Sequence, residues 1–162
     1  MTLAELNMIT DRTVADVEYW RSLQRKGYAA MTDEEKAVWN NGTMKGAYNV
    51  SDLNRVGVAL NYLREALADV GCISRNLFAA KTDWTVTDIP TAKNLSEYLG
   101  HVAQIRNATM QLADTPATPT DTGTLNYSSA NDIERILLAS EHILHNIQKA
   151  WFYCNDLYGG EV

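Results

Sequence analysis

The chain has 162 residues and a formal net charge of −6. That length fits one domain, spanning 1–162, which buries most of its apolar surface without needing disulfides or metal. The acidic balance, with 14 scattered Lys and Arg, argues against a nucleic-acid partner, because gripping a phosphate backbone takes clustered positive charge.

The first residues carry Glu5 and neither a basic start nor a long apolar run, so no signal peptide is expected, and no stretch approaches membrane-spanning length. Cytoplasmic synthesis and no membrane partner are the expectation. From Thr13 to Lys26, Thr13 and Asp16 stand in capping-box spacing, Val14, Val17, Trp20 and Leu23 share one side, and Gly27 supplies a stop. Thr32 and Glu35 repeat the box before Val38 and Trp39, with Asn41-Gly42 as the stop. The two segments make a short helical pair over 13–41.

The stretch GTMKGAYNVSDLNRVG then looks like a phosphate loop. It fails as one: Lys45 precedes Gly46, no hydroxyl follows, and a short helix rather than a strand comes before it. Gly42 and Gly46 are read as a sharp change of direction and Asn49 as the cap of the next helix, with an anion at that helix end as the minor reading.

Three longer stripes form the body. Leu53, Val56, Leu60, Leu63, Leu67 and Val70 recur in steps of three and four and predict a helix over 50–70. Leu95, Tyr98, Val102, Ile105, Thr109 and Leu112 predict a second over 92–112, and Ile133, Ile136, Ser140, Ile143, Ile147 and Cys154 a third over 129–154. The expected fold is therefore all-α: a bundle of three long helices plus a short N-terminal pair. Residues 72–90 are expected as one long irregular connection, with room for a short β pair, folded over the bundle end. Residues 113–127, rich in Pro, Thr and Asp, read as an extended exposed connection.

Candidate sites are few. Asp52-Leu53-Asn54-Arg55-Val56 is echoed by Asp132-Ile133-Glu134-Arg135-Ile136; in each, the Asp suits a helix start and pairs with the Arg three residues on while the branched residues enter the core. His142 and His145 share a helix turn but fall on the polar face, and His101 reads as a core-edge side chain, so neither a metal nor any other cofactor is expected. Cys72 and Cys154 lack ligand spacing and are expected as free thiols, with a disulfide left open. No nucleophile elbow, paired-carboxylate motif or HExxH is present, so no catalytic residues are assigned and the chain is not expected to be an enzyme. Phe152 and Tyr153 point away from the third stripe, so either the short helical pair covers them, the leading reading, or they are exposed as a partner surface; in that second reading Phe152, Tyr153, Leu157 and Tyr158 are the partner-binding residues.

The series ITDRTVADV, MTDEEKAVW, MKGAYNVSDLNRVG, KTDWTVTDIPTA, NDIERIL and AWFYCNDLYGGEV resembles, nearly end to end, a family of small phage and prophage proteins of Gram-positive bacteria, described as minor structural or tail-associated. The family has no assigned chemistry. The resemblance implies a non-enzymatic structural or assembly protein that docks to other phage structural proteins in or near the tail, located in the bacterial cytoplasm at synthesis and then in the virion. The alternative is a phage-encoded regulator that binds and inhibits a host protein. A homo-oligomer is compatible with either.

Overall fold

A computed structural model of the protein describes residues 2–120, 123 and 125–158, the stretch 151–158 by its backbone alone. Five α-helices follow one another: α1 (Val14–Lys26), α2 (Asp33–Asn41), α3 (Val50–Asp69), α4 (Ala92–Ala108) and α5 (Tyr127–Tyr158). 3-10 turns occur at Leu3–Leu6 and Tyr28–Ala30, and there is no strand among the described residues. The fold is all-α, a bundle of three long helices with a short N-terminal pair.

Local chemistry sets the helix ends. Capping boxes start α1 at Thr13/Asp16, α2 at Thr32/Glu35, α3 at Asn49/Asp52 and α4 at Thr91/Asn94. Asn126 starts α5, its side-chain oxygen accepting from the Ser128 and Ser129 amides at 2.9 and 3.1 Å. Gly42 ends α2 in the left-handed region, φ 60°. Gly46 lies in the predicted turn, which the Ala47 amide closes onto the Met44 carbonyl at 3.3 Å, but what requires a glycine there is space and not a positive φ: a Cβ would lie 2.0 Å from the Asp16 carbonyl oxygen. The residue is small so that the loop before α3 can rest on the backbone of α1. α4 is shorter than its apolar spacing predicted. The return chain begins at Thr109, which is extended, and Arg106 donates at 2.7 Å to the Pro116 carbonyl, so Leu112 lies beyond the helix and is exposed.

Helices α3, α4 and α5 each pack on the other two, and Leu60, Val102 and Ile143, one from each stripe, are all buried. Their directions follow from side-chain pairings. Asp52 and Arg55 of α3 meet Glu134 of α5, and Tyr62, further along α3, lies against Glu141, further along α5. Tyr48, just before α3, meets Tyr98 in α4, while later in both helices Arg64 and His101 flank the Phe78 ring. The order is the same on each pair, so the three long helices run parallel, and each connection must travel back along the bundle. A 20-residue helix is about 30 Å long, which an extended chain covers in about ten residues.

The first return lies along the side of α3, not over the bundle end. Asn61 pairs with both backbone groups of Ala80, donating to its carbonyl and accepting from its amide, both at 2.9 Å. Two turns earlier Asn54 does the same with Trp84, at 2.9 and 2.8 Å. Between them Gly57 is buried, and a Cβ there would lie 2.2 Å from the Lys81 carbonyl oxygen. A side-chain amide offers the same donor and acceptor as a peptide. The extended segment thus satisfies its backbone on helix side chains, and the β pair allowed for by the sequence does not form.

Candidate functional site

The segment before α1 is tied down by α5. Leu3, fully buried, donates its amide to Glu141 at 2.8 Å, and Ile9 donates its amide to Glu134. Asn131 brackets Arg12, accepting from its amide at 3.0 Å and donating to its carbonyl at 2.9 Å. The Arg12 side chain then enters the bundle with 1 % of its surface exposed, donating to Asp52 at 2.9 Å and to Glu134 at 2.7 Å. Arg55 completes the group by pairing with the same two carboxylates. Burial acts against the Arg55 charge, but Glu134 and then Asp52 outweigh it and hold the guanidinium ionised. Both Glu134 oxygens are taken, as are both Asp52 oxygens, the second by the Asn49 amide at 3.0 Å. Two positive and two negative groups therefore join α3, α5 and the N-terminal segment in a neutral buried cluster.

Beside it, the Tyr48 and Tyr98 hydroxyls share a hydrogen bond, with the Arg12 guanidinium 5.5 Å from the Tyr48 ring centroid. Loss of water around the paired hydroxyls pushes both phenols above their ordinary range, Tyr98 as a buried residue and Tyr48 with 37 % of its surface still exposed. For Tyr48 the Tyr98 bond offsets part of this while Glu134 and Asp52 add to it, and for Tyr98 the Tyr48 hydroxyl adds further.

Over this cluster opens a cleft of about 620 Å³ between α1 and the bundle. Its walls include Leu53, Leu95 and Ala130, from the first turns of α3, α4 and α5, so the N-terminal ends of all three helices gather around one cavity. The predicted apolar side of α1 faces it: Leu23 alone of that stripe is buried, Val17 and Trp20 are half-buried cleft residues, and Val14 is 52 % exposed. Arg12, Arg21, Lys45 and Glu18 supply the charges, and Asp11 engages Lys45 at 2.7 Å. Next to the cleft, a turn held by Thr85 and Asp88 leads through Pro90 into α4 and leaves Val86 90 % and Ile89 87 % exposed.

The other predicted positions are dispersed. His142 is exposed and His145 half-buried on α5. His101 stands at the core edge, stacked on Phe78 with centroids 4.4 Å apart; burial lowers its pKa, Glu97 opposes that and Arg64 reinforces it. Cys72 is an exposed free thiol. Among the described residues no group of His, Cys, Asp and Glu is arranged to hold a metal, and no helix is long and apolar enough to cross a membrane. The side chains of Phe152, Tyr153, Cys154, Leu157 and Tyr158 lie outside the described residues. Of the echoed motifs, the Asp–Arg pair of the first enters the buried cluster, whereas that of the second, Asp132 with Arg135 at 3.7 Å, lies at the surface and the second motif reaches the cluster through Glu134 instead. Sequence reading missed Glu134 and Glu141. Their signal was present: two glutamates two turns apart on α5, in step with buried Leu137 and Leu144.

Fold and site define a parallel helical bundle with a buried ion cluster beneath an end cleft. No family model, curated protein or solved structure matches the chain.

Proposed function

We propose that the protein is a non-enzymatic docking block, a phage structural or assembly component that binds other proteins of the particle in or near the tail. The observation that supports this is the turn before α4. Val86 and Ile89 are almost fully exposed, yet the turn that carries them is fixed by the Thr85 amide to Asp88 at 2.9 Å and the Asp88 amide to the Thr85 carbonyl at 3.0 Å. Two large apolar side chains presented on a pre-organised support give up little freedom on binding, the usual condition for an effective contact. The phage setting comes from the sequence resemblance. The aromatic group Phe152, Tyr153, Leu157 and Tyr158 is the second docking element in this reading.

The test is double. Mass spectrometry of particles purified from induced cells of the encoding bacterium should find the chain. Val86→Ser/Ile89→Ser should leave stability within about 0.5 kcal/mol per site of the parent, as for surface positions, while weakening association by about 2 kcal/mol or more. Absence from particles defeats the structural role, and unchanged association removes this turn from the docking surface.

A further inference from the structure

The cleft has features that a protein-docking role does not use. Its volume, about 620 Å³, falls in the range of small-molecule sites, about 300–1,000 Å³. One wall is helical and loosely seated: Val17 and Trp20 of α1 face the space half-buried instead of filling it. Opposite them, Leu53, Leu95 and Ile133 form an apolar wall. The first turns of three parallel helices line the same space, and their aligned peptide dipoles place partial positive charge around it. On the floor, Arg12 is buried to 3 % exposure and its Nε–H has no hydrogen-bond partner. At the rim Arg21 is exposed and in no ion pair among the described residues, while Glu18 is the one carboxylate among the described lining residues.

We propose that this cleft binds a small amphipathic carboxylic acid, its apolar body between Trp20 and the Leu53–Ile133 wall and its carboxylate toward Arg21 and the helix N-termini. With Lys45 paired to Asp11 and Arg12 to its two carboxylates, a neutral apolar ligand would leave Arg21 and the helix ends unused, and a cation would be repelled by them.

The probe is 8-anilinonaphthalene-1-sulfonate, an apolar anion whose fluorescence rises on leaving water, displaced by decanoate or by decyltrimethylammonium, which match in chain length and differ in head charge. One probe per chain should bind saturably, and decanoate should displace it at least tenfold more effectively than the cation. Val17→Trp, which fills the cleft from α1, should weaken decanoate at least tenfold. Arg21→Glu, on the exposed face of α1 where folding is not at stake, should weaken it about fivefold or more. No saturable binding, equal displacement by the cation, or decanoate affinity unchanged in either variant overturns the proposal. Binding lost in Val17→Trp but intact in Arg21→Glu would identify an apolar cavity that does not recognise an acid.

Discussion

Glu134 shows how much of this structure rests on single side chains. It is fully buried and accepts from Arg12, Arg55 and the Ile9 amide, so it joins two helices and the N-terminal segment. Glu134→Gln keeps the size but leaves two guanidinium groups facing one carboxylate in a site that water does not reach. Breaking such a buried pair costs about 3–5 kcal/mol, because the remaining charge is uncompensated. The echoed motif supplies the control. Asp132 pairs with Arg135 at 3.7 Å, with the Arg135 side chain 54 % exposed, and Asp132→Asn should cost under about 1 kcal/mol. Urea unfolding of the two variants measures the contrast, and similar costs would mean that the cluster carries no special weight.

At the scale of elements, two glycines in helices carry opposite expectations. Gly57 is buried in α3 with the Lys81 carbonyl 2.2 Å from where a Cβ would sit, whereas nothing lies within 4 Å of one at Gly100 in α4. Gly57→Ala should push the return segment off its Asn54 and Asn61 partners and cost about 1–3 kcal/mol, while Gly100→Ala should stabilise by about 0.5–1 kcal/mol through helix propensity. Thermal melts of both read the sign directly, and a stabilising Gly57→Ala would refute the close approach. The same pair marks how far the sequence could be read. Helix starts at Thr13, Thr32 and Asn49 and the stop at Gly42 were legible because each depends on residues within one turn. The buried stripes were legible from their period. The path of 72–90 was not, since it depends on which distant backbone groups Asn54 and Asn61 engage, and an asparagine on a helix looks the same whether it faces water or a peptide. Arg12 was illegible for the same reason: it lies outside any periodic element, and its partners are 40 and 122 residues away. Of the candidate site, the apolar side of α1 was visible in the spacing of Val14, Val17 and Trp20, but not that a cleft would separate it from the bundle.

Over the whole molecule, parallel packing of α3, α4 and α5 aligns three helix dipoles and concentrates positive potential at their N-terminal ends. Asp52, in the first turn of α3, sits where that potential favours negative charge; Glu134, two turns into α5, lies beside it, and the guanidinium groups of Arg12 and Arg55 balance the two carboxylates. The titratable groups packed around this frame give a stability profile with two flanks. His101 has a folded pKa below its ordinary 6.5, chiefly through burial. Its neutral form is the one the fold favours, so its contribution is complete above pH 6.5 and is lost as pH falls through the lowered value. Tyr48 and Tyr98 have folded values above the ordinary 10.0, again chiefly through burial. They too are favoured neutral, so their contribution is complete below pH 10.0 and is lost as pH rises toward the raised values, while the unfolded chain ionises freely. The melting temperature should therefore be flat from these groups between pH 6.5 and 10.0 and fall on both sides. His101→Phe, which keeps a ring against Phe78, should flatten the acid flank down to the range where carboxylates titrate. Tyr48→Phe/Tyr98→Phe removes both hydroxyls together, leaves neither orphaned, and should flatten the alkaline flank. Phenolate absorbance at 295 nm adds a second readout, since Tyr98, buried among the 8 tyrosines, should ionise only as the chain unfolds. Ionisation of all the tyrosines before the unfolding transition would mean that Tyr98 is not enclosed, and with it the packing of α4 against the start of α3 would fail.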